Sequence, residues 1–266
     1  MKTASRRDKL TDILGMIDLT SLTVSDTPSG IASMVGKVND FRSRFPDYPV
    51  PASVCVYPNF AATVASLRAD KALHVTVVGG TFPASQSFLE VKTLECTMAV
   101  RSGADEVDIV LPLNSFLDGR QEESRKEIME IGLAVRAERK DTVLKVILET
   151  GVLESDTLIR EASFLAMESG ADFIKTSTGK TAVSATPRAA ETMCGCIAEY
   201  FRKTGRKVGF KAAGGISKSE DALVYYDIVS DILGDGWLDK RHFRFGASRL
   251  ANNILSELEG REVKYY

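Results

Sequence analysis

The chain has 266 residues, 44% of them hydrophobic and 26% charged, with a formal net charge of -2. That is the size of one large α/β domain or two small ones, in the composition of an ordinary soluble globular protein. Near-neutral charge gives no electrostatic case for nucleic acid or a membrane surface, no apolar run reaches a membrane span, and the polar start from Met1 to Leu10 lacks the core of a secretory signal.

In chain order the pattern predicts a helix over 3–15 and a short strand over 16–20, Met16-Ile17-Asp18-Leu19-Thr20. Pro28 opens a helix to about Phe45, closed by the turn-rich stretch Pro46 to Pro51. Ser53-Val54-Cys55-Val56 reads as a buried strand stopped at Tyr57-Pro58. The alternation then repeats: helix near 60–69, strand 74–78; helix near 85–101, strand 105–110; helix near 115–139, strand 143–149. A helix near 155–168 leads to strand 172–175, one near 187–203 to strand 207–211, and one near 218–233 to strand 242–246, with a last helix from Ser248 to Leu258. Eight strands alternating with helices in one chain of this length predict a closed (β/α)8 barrel as a single domain over 1–266, with 1–15 as an N-terminal helical extension and 259–266 as a flexible tail. A doubly wound sheet is the rival, but Asp18-Leu19-Thr20-Ser21 carries no glycine fingerprint after the first strand. The echo of Ser102-Gly103-Ala104-Asp105 in Ser169-Gly170-Ala171-Asp172, two units apart, fits equivalent members of one ring.

Strand parity points charge inward. Val107 and Ile109 flank Asp108, and Val208 and Phe210 precede Lys211, so Asp108 and Lys211 face the axis with Lys175, Lys145 and Glu149. Active sites of such barrels lie at the C-terminal strand ends. Lysines on adjacent strands disfavour each other's charge, so either Lys175 or Lys211 should lose its proton readily and can attack a carbonyl as a neutral amine, with Asp108 moving protons. The residues alone do not say which lysine is the nucleophile, and a purely structural ion network is the competing reading. Gly214-Gly215 after strand 7 and Gly246-Ala247-Ser248 after strand 8 sit where barrels bind phosphate, with Gly179 and Lys180 closing from strand 6.

Gly179-Lys180-Thr181 mimics the end of a P-loop, but position 174 is Ile174 where that motif needs glycine, so nucleotide hydrolysis is not expected. The histidines are His74 and His242, and neither they nor Cys55, Cys96, Cys194 and Cys196 have metal-ligand spacing; no metal is expected, His74 reads as a core residue, and the cysteines fit a reducing cytoplasm.

At these residues the chain resembles the deoxyribose-phosphate aldolases. The matching segments are Ile17 to Thr20, Val54 to Pro58, Gly103 to Asp108, Leu144 to Gly151, Ala171 to Lys180, Gly209 to Gly215 and Arg244 to Ser248, in the family's order. The resemblance implies a class I aldolase that reversibly cleaves 2-deoxy-D-ribose 5-phosphate to D-glyceraldehyde 3-phosphate and acetaldehyde in deoxyribonucleotide breakdown. It implies that Lys175 forms the Schiff base, Lys211 lowers its pKa, and Asp108 relays protons through water. Asp18, Cys55 and Thr176 would line the site, and Gly179, Lys180, Gly214, Gly215, Gly246 and Ser248 would bind the phosphorylated sugar. No cofactor is implied, and a cytoplasmic homodimer is the family expectation. Many members carry arginine where this chain has Ser217, and serine where it has Arg249. As in some members the chain ends in tyrosine, and Tyr266 is expected to fold over the mouth and assist proton transfer. The rival readings are another Schiff-base phosphosugar aldolase or transaldolase, and a barrel that binds a phosphosugar without turning it over.

Overall fold

Short β-branched and aromatic runs, each stopped by glycine, proline or a polar residue, build the strands: β1 (Ile17–Thr20), β2 (Ser53–Val56), β3 (His74–Gly79), β4 (Glu106–Val110), β5 (Val143–Ile147), β6 (Phe173–Lys175), β7 (Gly209–Ala213) and β8 (Phe243–Ala247). In the computed structural model, which describes residues 4–266, these strands pair in parallel and in sequence order, and β8 returns to β1 to close the barrel. Around them run α1 (Arg6–Gly15), α2 (Pro28–Arg44), α3 (Ala61–Leu67), α4 (Leu89–Arg101), α5 (Leu113–Leu117), α6 (Gln121–Glu138), α7 (Thr150–Leu153), α8 (Asp156–Glu168), α9 (Pro187–Thr204), α10 (Ser219–Leu233) and α11 (Leu250–Glu259). Thr27 before Pro28, Ser155 before Asp156 and Thr186 before Pro187 cap α2, α8 and α9 through their hydroxyls. Among the described residues no helix is long and apolar enough to cross a membrane.

The two parities of each strand have separate fates. Val54, Val75, Val77, Val107, Ile109, Leu144, Val146, Ile174, Phe210 and Ala212 join the apolar core beneath the helices. The alternate set, Asp18, Ser53, Thr76, Glu106, Asp108, Lys145, Lys175, Lys211 and Arg244, is equally buried but polar. The strand pairing fixes the heights inside: Asp108 is opposite Lys145, and Lys175 is opposite Lys211, which is opposite Arg244. Phe173 shares this interior, and glycine at 209 makes room for it, since a Cβ there would come within 2.4 Å of the ring.

The elements differ from the sequence expectation at their edges. The predicted helix over 115–139 is two helices, α5 and α6, broken at Gly119, whose φ of +76° suits glycine. β5 stops at Ile147 because Glu149 takes a left-handed conformation, φ 56° and ψ 57°, that no strand accommodates. β7 begins two residues later than expected, and α1 begins at Arg6; the expected start at position 3 lies outside the described residues.

The expected flexible tail is instead packed. Beyond α11 the chain runs back along α2, where the Tyr266 ring stacks on Phe41 with centroids 5.7 Å apart and the Tyr265 hydroxyl donates to the Lys37 carbonyl at 2.6 Å. Asn252 of α11 accepts from the backbone N–H groups of both tyrosines, at 3.0 and 2.9 Å.

Candidate active site

A cleft of about 330 Å³ opens at the C-terminal ends of the strands, lined by the loops after β1, β6, β7 and β8. Its floor is Lys175, 4% exposed, while Lys145 and Lys211 beside it are fully buried. Lys175 is therefore the amine a small molecule can reach.

Below that floor the interior charges form one network. Lys175 Nζ and Lys211 Nζ both donate to Asp108 Oδ2, at 2.9 and 2.8 Å, and Lys145 Nζ donates to Asp108 Oδ1 at 2.9 Å. Lys211 also donates to Asp18, and Lys145 forms an ion pair with Glu106. Arg244 spans from Asp18 to Glu106, the hydroxyls of Ser53 and Thr76 donate to the same two carboxylates, and the His74 ring pairs with Glu106 through Nδ1 at 2.5 Å. Apart from Lys175 and the His74 ring, the members are the cations Lys145, Lys211 and Arg244 against the carboxylates Asp18, Glu106 and Asp108, so these six permanently charged groups already balance. A charged Lys175 is the surplus. An uncompensated ion in such surroundings costs several kcal/mol, so of the three interior lysines Lys175 is the one whose charge is least favoured.

The direction of each titration agrees. Burial, and then the charge of Lys211, hold the Lys175 ammonium below its ordinary value, although the Asp108 carboxylate pulls the other way. Burial opposes charge at Lys211 too, but Asp108 and Asp18 outweigh it and keep Lys211 protonated, above the usual lysine range. Burial likewise disfavours the carboxylates, yet Lys145, Lys175 and Lys211 hold Asp108 well below the ordinary range, and Lys211, Arg244 and Lys145 hold Asp18 at about 2. Burial raises the Cys55 thiol, so it stays protonated beside these charges.

The upper wall has the makings of an anion site. Gly179, Lys180, Gly214, Gly215, Gly246 and Ser248 all line the cleft, and the N-terminus of α11 follows directly. Gly214 has φ +90°, and a Cβ there would meet the Ser184 side chain at 2.6 Å, so the loop after β7 folds only as glycine. Lys180 Nζ donates to the Leu22 carbonyl at 2.6 Å and bridges the loops after β6 and β1.

Other expected site residues are placed differently. Asp18 and Cys55 are buried beneath the floor. The Thr176 hydroxyl both accepts from Ala213 N–H and donates to its carbonyl, stitching β6 to β7 rather than facing the cleft. Tyr266 lies on the outer side against Phe41, with its hydroxyl buried, unpartnered and pushed above its ordinary pKa by burial. Glu106 and Arg244 were missed as network members; the signal available was that both share the inward parity of Asp108. Ser217 and Arg249, seen only as departures from a pattern, both line the cleft.

The model of the DeoC/LacD family of aldolases matches residues 16–226. A Caenorhabditis elegans protein, provisionally named a deoxyribose-phosphate aldolase, is 39% identical over 266 residues, covering 97% of this chain and 84% of its own. Among solved structures, a provisionally named deoxyribose-phosphate aldolase from Coccidioides immitis has a TM-score of 0.75 at 26% identity, covering 93% of this chain and 86% of its own. Deoxyribose phosphate aldolase from Aeropyrum pernix, described as a tetramer, shares the fold at a TM-score of 0.71 and 24% identity, covering 96% of this chain and 93% of its own. A family match over most of the length, joined to a relative this similar end to end, makes this chain a member of the DeoC/LacD aldolases, carbon–carbon lyases built on the (β/α)8 barrel.

Proposed function

We propose that the chain cleaves 2-deoxy-D-ribose 5-phosphate reversibly to D-glyceraldehyde 3-phosphate and acetaldehyde, through a Schiff base on Lys175. The observation that carries this is the surplus position of Lys175 in a buried network that balances without it, at the floor of a cleft with glycine-lined anion walls. Neutral Lys175 Nζ adds to the sugar's C1 aldehyde, and loss of water leaves an iminium. Deprotonation of the C3 hydroxyl then breaks the C2–C3 bond, and its electrons pass to the iminium as an enamine. D-Glyceraldehyde 3-phosphate departs, C2 takes a proton, and water hydrolyses the new iminium to release acetaldehyde and the amine. Asp108 Oδ2, shared by Lys175 and Lys211, is the acceptor through which a water exchanges these protons. The phosphate would sit against Gly179, Lys180, Gly214, Gly215, Gly246 and Ser248, and Arg249, which also lines the cleft, supports the same subsite. No cofactor enters this scheme.

Acetaldehyde with borohydride should add one ethyl group to Lys175, located by peptide mass spectrometry; an unlabelled protein, or a label on Lys211, overturns the assignment. The same reading places the chain in the cytoplasm and in deoxyribonucleotide breakdown. It also carries a homodimer, supported by the exposed apolar stripe formed by Phe88, which precedes α4, and Val91, Leu94 and Met98 along it, and light scattering that returns a monomer mass would refute it.

A further inference from the structure

Glu149 is a buried carboxylate outside the charge network, 2% exposed, whose hydrogen-bond partners are all neutral groups. Its backbone is left-handed without being glycine, a conformation that persists only where the surroundings impose it. Its carboxylate accepts from the Thr178 N–H at 3.1 Å, from the Thr178 hydroxyl, and from the Thr181 hydroxyl at 3.3 Å. The Thr178 hydroxyl in turn accepts from the Lys180 N–H at 3.0 Å. Thr178, Gly179 and Lys180 are the β6 side of the anion wall, so a single carboxylate fixes the segment that carries it.

A negative charge behind an anion site repels the ligand, so attraction is not its use. What it supplies is orientation. By taking both donors of Thr178, and through it the N–H of Lys180, it fixes the turn that presents Gly179 to the cleft, where Gly179 packs directly against Gly214. We propose that Glu149 is a positioning residue for the phosphate half of the substrate, acting through Thr178 and Thr181, with no part in the chemistry at Lys175. This rests on the aldolase reading above.

Glu149→Leu removes the acceptors and should raise KM for 2-deoxyribose 5-phosphate about tenfold, the scale of one lost charge-assisted hydrogen bond. Glu149→Gln, which keeps the shape and one acceptor, should recover most of this. In both variants kcat/KM for unphosphorylated 2-deoxyribose and the rate of borohydride labelling of Lys175 by acetaldehyde should stay within about twofold of the wild type, because those readouts do not use the anion wall. A general structural role would lower all three together, and that result, or an unchanged KM, overturns the proposal. If Glu149→Leu does not fold, Thr181→Val deletes one donor and should give the same split at smaller size; an equal loss on both substrates then overturns it. Absence of turnover and labelling in the wild type would instead refute the aldolase reading itself.

Discussion

Replacing Lys211 by Met probes the charge balance at its most sensitive point. Lys175 and Lys211 share one Asp108 oxygen, and two unit charges about 5 Å apart at an effective dielectric of about 20 repel by ~3 kcal/mol, equivalent to about two pKa units. Without Lys211 the carboxylates Asp18, Glu106 and Asp108 face two permanent cations, Lys145 and Arg244, and keeping Lys175 protonated restores the balance beside Asp108. With the neutral amine as the proposed nucleophile, a raised pKa lowers its fraction at every pH beneath that value. At neutral pH kcat should fall about a hundredfold, and the rising limb of kcat against pH should move up by about two units, with activity returning as pH increases. The fold should persist, because Lys175 now supplies the missing charge; a thermal melt checks this. Adding Asp18→Asn removes one anion, restores the balance without Lys175, and should bring back part of the acetaldehyde labelling at neutral pH. A fall in kcat with an unmoved pH limb, or a double variant that labels no better than the single one, would refute the electrostatic role.

Acid should destabilise the fold through the same groups. Asp18, near 2, and Asp108 and Glu106, held well below the ordinary range, bind fewer protons folded than unfolded. Their stabilisation is present above the unfolded carboxylate range near pH 4 and is lost as pH falls through their folded values, which urea unfolding at stepped pH measures. Arg249→Ala should raise KM for the phosphorylated substrate about tenfold while leaving acetaldehyde labelling of Lys175 intact, since Arg249 lines the upper cleft. Deleting Tyr265 and Tyr266 should lower Tm, with ~3 kcal/mol lost from the Phe41 and Phe45 contacts, and leave kcat unchanged; a fall in kcat at equal Tm would return the tail to the site.

The barrel was legible because its signal is local: each strand is a short apolar run, each helix a capped periodic segment, and their strict alternation admits few topologies. Asp108, Lys175 and Lys211 were legible for the same reason, since a charge between apolar neighbours on a strand must face a different side. What stayed hidden depends on distance in sequence. Arg244 meets Glu106 because β8 and β4 stand across the ring, and nothing near either residue announces the partner. Which lysine the cleft reaches depends on the contrast between a floor residue and two wholly enclosed ones, a matter of depth that parity does not carry. The tail was misjudged because its anchor, the Phe41 face of α2, lies more than two hundred residues earlier.

That distribution of information has a mechanistic consequence. On the proposed mechanism the reactivity of Lys175 follows from a sum over the barrel interior rather than from one neighbour, since each buried cation or carboxylate changes the charge against which its own proton is held. Arg244 is 2% exposed and touches the cleft nowhere, yet as one member of the balance it helps decide whether Lys175 can be charged. Its loss would leave Asp18 and Glu106 undercompensated and invite Lys175 to take up the proton, as loss of Lys211 does, but from the opposite end of the network. The ion cluster that fills the barrel and the chemistry proposed at its mouth then form one electrostatic object. The structural and catalytic readings of these buried charges, which compete when only the sequence is in view, describe the same residues at two depths.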